Sequence, residues 1–332
     1  MRQCIIYLFG ALLTAGLWSA ADTHAAEEHK GVVLEVRVYN SEILLYEPLI
    51  VFATLVNRSN VAVVANPILQ SLVFHCSDDW GNEVVVRPGT PGIYVDVWTT
   101  PRVLEPDRER IVLSLRPNAK LLLLHREENG PESRFVNAFV FGKPGHYVVR
   151  ARITAVVEKE EREIVSEGVG VFVKPVPAAQ APAAKYAAQE DTARALQGWW
   201  SWIEGGQDKA REVLTHLVTE FPTSPYADHA HYSLSRLVGD FYGVDEEEQF
   251  RRRSQALSHL SAVSPRIGGL RMFALLQIGW LLASDTRLAE ETDVRAVIEE
   301  LEGYQALAQY FGLEEERARR CKALARQYLG AK

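Results

Sequence analysis

The sequence predicts a multi-domain chain, all-β and then all-α: a β-sandwich over residues 31–174, a Pro/Ala linker over 175–185 and an array of helical hairpins over 186–330. Three observations predict this order. Up to Val173 the apolar residues alternate with a period of two or run in short β-branched blocks between turn residues. Beyond Ala184 the apolar period becomes that of an amphipathic helix. Between the two lies Lys174-Pro175-Val176-Pro177-Ala178-Ala179-Gln180-Ala181-Pro182-Ala183-Ala184, prolines among small residues without periodicity. It reads as a semi-rigid spacer that contributes nothing to a core.

The first residues bear on the compartment. Met1-Arg2 gives a positive start, Ile5 to Trp18 is apolar apart from Gly10, Thr14 and Gly16, and Ser19-Ala20-Ala21 and Thr23-His24-Ala25 offer the small-x-small pattern of a cleavage site. Residues 1–26 are therefore expected to be a signal peptide, and the mature chain to be exported, periplasmic or extracellular, and soluble. The alternative is an uncleaved anchor, for which the run is short against the roughly 20 residues of a spanning helix. Cys4 leaves with the signal, and Cys76 and Cys321 fall in different halves, which predicts two free thiols. The apolar run Phe273 to Ala283 carries Gln277 and lies between Arg271 and Asp285, so it reads as a buried helix and not as a span.

Strands are expected at Val32–Tyr39 and Leu49–Val56, and around Leu72–Cys76, Tyr94–Thr99, Arg110–Leu115, Phe135–Phe141, His146–Val157 and Ile164–Val173. Asn57-Arg58-Ser59-Asn60, Asp78-Asp79-Trp80-Gly81-Asn82 and Lys143-Pro144-Gly145 supply turns between them. That is enough for two packed sheets. In the second half, Val213, Leu214, Leu217, Val218 and Phe221 form one helical stripe and Val294, Val297, Ile298 and Leu301 another. Pro222 stops the first helix and Pro225 can begin the next. Leu214-Thr215-His216-Leu217, with Pro222 after it, recurs 43 residues on as Leu257-Ser258-His259-Leu260 with Pro265. A helix follows each proline, so the unit is a hairpin that buries its apolar face on its neighbours.

Two stretches carry family resemblances. Ala210-Arg211-Glu212-Val213-Leu214 through Glu220-Phe221-Pro222-Thr223-Ser224-Pro225-Tyr226-Ala227-Asp228-His229-Ala230-His231-Tyr232 resembles the tetratricopeptide-type repeats of bacterial envelope proteins, with a period longer than the usual 34 residues. Tyr46-Glu47-Pro48-Leu49-Ile50-Val51 and Lys143-Pro144-Gly145-His146-Tyr147-Val148-Val149 look like strand lead-ins of bacterial immunoglobulin-like domains. The resemblances imply an immunoglobulin-like β-sandwich followed by a tetratricopeptide-like solenoid, both chiefly interaction modules.

The chemistry of the sequence points the same way. Its 36 basic and 43 acidic residues leave a net charge of -7 without a strongly basic segment, which argues against a nucleic-acid partner. There is no Gly-x-Ser-x-Gly elbow, His-Glu-x-x-His motif or phosphate-cradling glycine loop, so no catalytic residue, cofactor or metal is expected. His229 and His231, two apart on a helix, diverge and cannot share one ion. His216 and His259 occupy equivalent repeat positions and suggest a shared structural role at a helix end. Asp78, Asp79, Asn82 and Glu83 offer oxygens for calcium, or simply form a polar hairpin turn. The charge runs Glu246–Arg253 and Glu315–Arg320 fit solvated helix faces, with Glu247/Arg251, Glu248/Arg252, Glu315/Arg319 and Glu316/Arg320 at i, i+4.

Leu196, Trp200 and Ile203 share one helix face while Trp202 points elsewhere, either toward the sandwich or a partner or as part of a wide core stripe at the first helix of the array. The candidate interaction residues are thus Trp199, Trp202, Tyr226, His229 and Tyr232, in a helical groove for a protein or peptide. The function expected is a non-enzymatic periplasmic or surface adaptor. The rivals are an envelope polysaccharide hydrolase, whose carboxylate pair has no local signature, and a carbohydrate-binding sandwich displaying Trp80, Tyr94 and Trp98.

Overall fold

Strands occupy the first half of the chain and helices the second. The computed structural model describes residues 31–38, 40–65, 72–86, 102–104, 110–113, 120–121, 140–198, 200, 203–238, 245–290, 292–310 and 313–330. The expected signal segment and the expected strand at 94–99 lie outside these residues, as does most of the one at 135–141, of which Val140 and Phe141 form a buried turn.

The strands are β1 (Val32–Val38), β2 (Glu42–Leu44), β3 (Leu49–Asn57), β4 (Val63–Ala65), β5 (Val73–Asp78), β6 (Glu83–Val86), β7 (Arg102–Leu104), β8 (Arg110–Leu113), β9 (Lys120–Leu121), β10 (Gly145–Val157), β11 (Glu160–Val165) and β12 (Val169–Lys174). One sheet runs β1-β3-β8, with β9 also on β3. The other is organised by the long β10, which carries β11 and β12 along one edge and β5 and β4 along the other. The period of two decides which sides face inward. Val32, Leu34, Val36 and Val38 of β1 and Tyr147, Val149, Ala151, Ile153, Ala155 and Val157 of β10 are all buried, in one apolar cluster. Between the β1 valines, Glu35 and Arg37 turn outward and pair at 2.7 Å.

The expected strand Ile164–Val173 is a single path along β10, broken by a bulge. Arg152 opposes Val165 while Val149 opposes Val169, so β11–β12 carries one residue more than the strand it faces. Ser166 fills the step, its N–H donating to the Ala151 carbonyl at 2.8 Å and its Oγ accepting the Ala151 N–H at 2.8 Å. Gly168 is required there: a Cβ would sit 2.5 Å from Val148 Cγ1.

The helices are α1 (Ala181–Ala187), α2 (Glu190–Gln197), α3 (Gly206–Glu220), α4 (Pro225–Val238), α5 (Glu246–Ser261), α6 (Gly268–Ser284), α7 (Thr286–Glu290), α8 (Val294–Gly303), α9 (Gln305–Tyr310) and α10 (Glu314–Tyr328). From α2 to α6 each packs against the next, and α6 then meets α8 and α10. Starts are fixed by Pro225 at the head of α4 and by Asp245 and Asp293, whose carboxylates cap α5 and α8. The stripes stand as expected: Leu214, Leu217 and Leu301 are fully buried, and α6 is enclosed on almost every side. No helix among the described residues is long and apolar enough to cross a membrane. Of the four expected i, i+4 pairs, Glu248–Arg252 (2.7 Å) and Glu316–Arg320 (2.8 Å) form, whereas Arg251 and Arg319 turn to Glu248 and Glu316 at i, i+3 and Glu247 reaches Arg287.

The Pro/Ala stretch departs from its reading as a spacer. Ala178–Gln180 is a 3₁₀ turn and Pro182 sits in the first turn of α1, where its missing N–H costs nothing. Ala183, Ala184 and Ala187 are buried in the same cluster as β1, β3 and β10. A methyl side chain lets the helix backbone come close to its neighbours, so small residues there make core and not slack. That cluster runs on through Leu196, Leu214, Leu217 and Tyr226, so the sheets and the first helices share one interior. A second cluster fills α5 to α10 and includes Ile50 of β3.

Candidate functional site

The junction between sheets and helices encloses two ionisable side chains, Glu47 and His229. Its sheet side is the turn Leu44-Leu45-Tyr46-Glu47 between β2 and β3. The Glu47 N–H donates to the Leu44 carbonyl at 2.9 Å, and the Leu44 N–H returns a bond to Glu47 Oε2 at 2.9 Å. Tyr46 takes a left-handed φ of 70° to close the loop. Glu47 is thereby folded inward, 4% exposed.

The helix side is α4. Tyr226, His229 and Ser233 recur at i, i+3 and i+7 and lie on one face. The Tyr226 hydroxyl donates to the Leu45 carbonyl at 2.6 Å, and its burial beside Glu47 pushes the phenol well above the usual range. His229 Nε2 lies 3.6 Å from Glu47 Oε1, too far for a hydrogen bond. Ser233 Oγ donates to the Leu196 carbonyl at 3.3 Å. A histidine beside a carboxylate is a general acid–base pair in principle. Here both side chains are enclosed between the two halves.

Tyr226, His229 and Tyr232, expected among the residues a partner touches, are therefore interior. Tyr232 accepts a 3.5 Å contact from Gln277 of α6 and is raised to about 12 by burial. Trp199 and Trp202 lie outside the described residues. Leu196, Trp200 and Ile203 are all buried but do not share a helix face as expected, because α2 ends at Gln197 with Gly198 left-handed and Trp200 and Ile203 follow in the connection to α3; Arg236 lies over the Trp200 ring at 5.6 Å. No family model, curated protein or solved structure matches this chain.

The remaining candidates resolve individually. Asp78 Oδ1 accepts the N–H groups of Trp80 (3.0 Å) and Asn82 (2.8 Å), and its Oδ2 accepts the Asn82 amide at 2.8 Å. These bonds, the Asn82 amide foremost, hold the carboxyl below its usual range; with Glu83 turned to His75, the polar-turn reading accounts for the group. Among the described residues no three His, Cys, Asp or Glu side chains gather as a metal site. The repeat-equivalent histidines differ in setting: His216 packs at a tilt against Tyr186 with ring centroids 4.4 Å apart, whereas His259 meets His231. Cys76 and Cys321 are both free and buried.

Sequence reasoning missed the charged interior. Asp228, 2% exposed on α4, accepts from Arg266 Nε at 2.6 Å and from the Ser264 N–H at 3.0 Å, while Arg266 also donates to the Ser224 carbonyl at 2.7 Å. This ties the α3–α4 corner to the α5–α6 corner. Glu47 had a signal, an acid inside an otherwise apolar Tyr-Glu-Pro-Leu-Ile run; Arg266 had none.

Proposed function

We propose that the chain is an exported, non-enzymatic adaptor of the periplasm or cell surface. In this reading an immunoglobulin-like sandwich braces a tetratricopeptide-like array whose outer helix faces take a protein or peptide segment. The supporting observation is the step of the helices: α4 and α6 open 43 residues apart, at Pro225 and Gly268, each packed on the helix before it. Units that repeat in this way bury one side on their neighbours and leave another for a ligand. Trp280, 42% exposed on the largely enclosed α6, is the kind of aromatic that anchors such contacts. Selection of a random peptide library on the immobilised full-length mature chain tests this. An enriched peptide should bind at least about tenfold more weakly to Trp280→Ala, a loss of about 1.4 kcal/mol. Failure to enrich any peptide, or affinity indifferent to substitutions on α4 to α6, refutes the reading.

One observation favours a second reading, carbohydrate binding by the sandwich: Trp80 is 71% exposed at the tip of the β5–β6 turn, held there by Asp78. Glycan-array binding abolished by Trp80→Ala would support it over the first.

A further inference from the structure

Helices α4 and α5 meet at a pair of histidines. His231 and His259 are half-buried, with their Nδ1 atoms 3.2 Å apart and their ring centroids 5.5 Å apart. The centroid separation exceeds the nitrogen separation by about two ring radii, so the nitrogens point at one another nearly head-on. This is the geometry of an N–H···N bond, whereas two imidazoles converging on one metal ion meet at an angle. Two bare lone pairs, or two N–H groups, would repel in this position. The contact therefore needs a single proton between the rings, one ring protonated on Nδ1 and the other on Nε2.

Many charged groups on the helices packed against the pair are already engaged. On α4, Asp228 lies one turn before His231 and is held by Arg266 of the α5–α6 connection, while Arg236 covers Trp200. On α5, Glu248 is taken by Arg251 and Arg252 and Arg253 by Asp285. On α6, Arg271 is turned onto Glu300 at 2.7 Å. On α3, Lys209 pairs with Glu212 and Arg211 with Asp208, all at the surface. On α2, Arg194 pairs with Glu190, and α1 carries Lys185 in its last turn. On α7, Arg287 pairs with Asp285 and Glu247. Asp228 is thus the carboxylate that favours a cation on His231, and its charge is partly cancelled by Arg266.

We propose that His231 and His259 form an acid-sensitive latch: with one proton between them they clip the α3–α4 hairpin to the α5–α6 hairpin; a first added proton, taken by the bare Nε2 of the donor ring, leaves that bond in place, and a second, on the acceptor ring's Nδ1, sets two cations N–H to N–H and releases the clip. Burial lowers both histidines, His259 to about 4 with the His231 charge as a further cause, against the weaker pull of Asp228 on His231. A histidine depressed by folding binds fewer protons than in the unfolded chain. Stability from the latch is therefore complete above about pH 6.5 and is lost as the pH falls toward 4.

Imidazole ¹⁵N–¹H correlation spectra of the full-length mature chain test this. At pH 7 one ring should show a protonated Nδ1 and the other a bare one, and the two should titrate in coupled steps below the ordinary range. His231→Gln should move the His259 step up by about one unit. The melting temperature should fall more between pH 6.5 and 4.5 in the wild type than in His259→Phe, which keeps a ring at the contact. Independent titration of both rings near pH 6.5, or an acid-induced fall in melting temperature equal in wild type and His259→Phe, would overturn the latch.

Discussion

Replacing Tyr226 with Phe tests whether the sheets and the helices fold as one body. The phenol is fully buried, and its hydroxyl donates to the Leu45 carbonyl at 2.6 Å across the junction. Phe fills the same space, so no cavity term enters. What is lost is one bond to a part-buried carbonyl, which then stands without its donor, at a cost of about 2 kcal/mol. That is roughly a thirtyfold rise in the opening equilibrium. Hydrogen exchange read by mass spectrometry reports where the rise falls. Because Leu34, Val51, Val149, Leu196, Leu214 and Tyr226 belong to one cluster, the slowest amides of β3 and β10 and those of α4 should accelerate by the same factor. Acceleration confined to α4, with β3 and β10 unchanged, would mean that the halves open separately and would refute the common interior. No change anywhere would mean that the bond is worth nothing.

Four further outcomes are expected. Glu158 and Lys159 both take positive φ, 53° and 71°, in the two-residue turn between β10 and β11, so the pair Glu158→Asn and Lys159→Gly should raise stability by about 1 kcal/mol in denaturant titration. Gly168→Ala drives a methyl to 2.5 Å from Val148 Cγ1 in the bulge and should cost about 1–3 kcal/mol by the same assay. Asp228→Ala removes the acceptor of Ser264 N–H and Arg266, and should cost about 2 kcal/mol, discounted because Arg266 can turn to water. Burial raises the thiols of Cys76, to about 12, and Cys321, so neither should react with a disulfide reagent at pH 8 until the chain unfolds.

Local signals carried much of this fold. The apolar runs Val32–Tyr39 and His146–Val157 marked both strands, and the structure shows the period of two that puts one face of each on a core. Pro222 and Pro225 likewise marked the α3–α4 corner before any coordinate. The bulge at Ser166–Gly168 was hidden because a surplus residue shows only against the register of β10, which is a property of two strands and not of one. The I′-type turn at Glu158-Lys159 was hidden because neither residue is the Asn or Gly that such a turn favours.

The errors at the junction have one physical root. An Ala-Pro run and a Tyr/His-rich helix both look unsuited to a core when their surroundings are taken to be water. The first lacks apolar bulk, and the second carries groups that need partners. Each is suited to close contact with another backbone: alanine because it adds almost no thickness, tyrosine because its hydroxyl can end on a carbonyl that the approaching loop presents. Leu45 and Glu47 lie some 180 residues before the helix they meet, as the separation of the Tyr226–Leu45 bond shows. Amphipathic periodicity records that a helix has an inside, but not whether the inside is another helix, a sheet or a partner. Tyr226 and His229 look partner-facing in the sequence for that reason, and the same ambiguity makes Trp280, whose exposure is a property of the folded chain, the better place to look for a ligand.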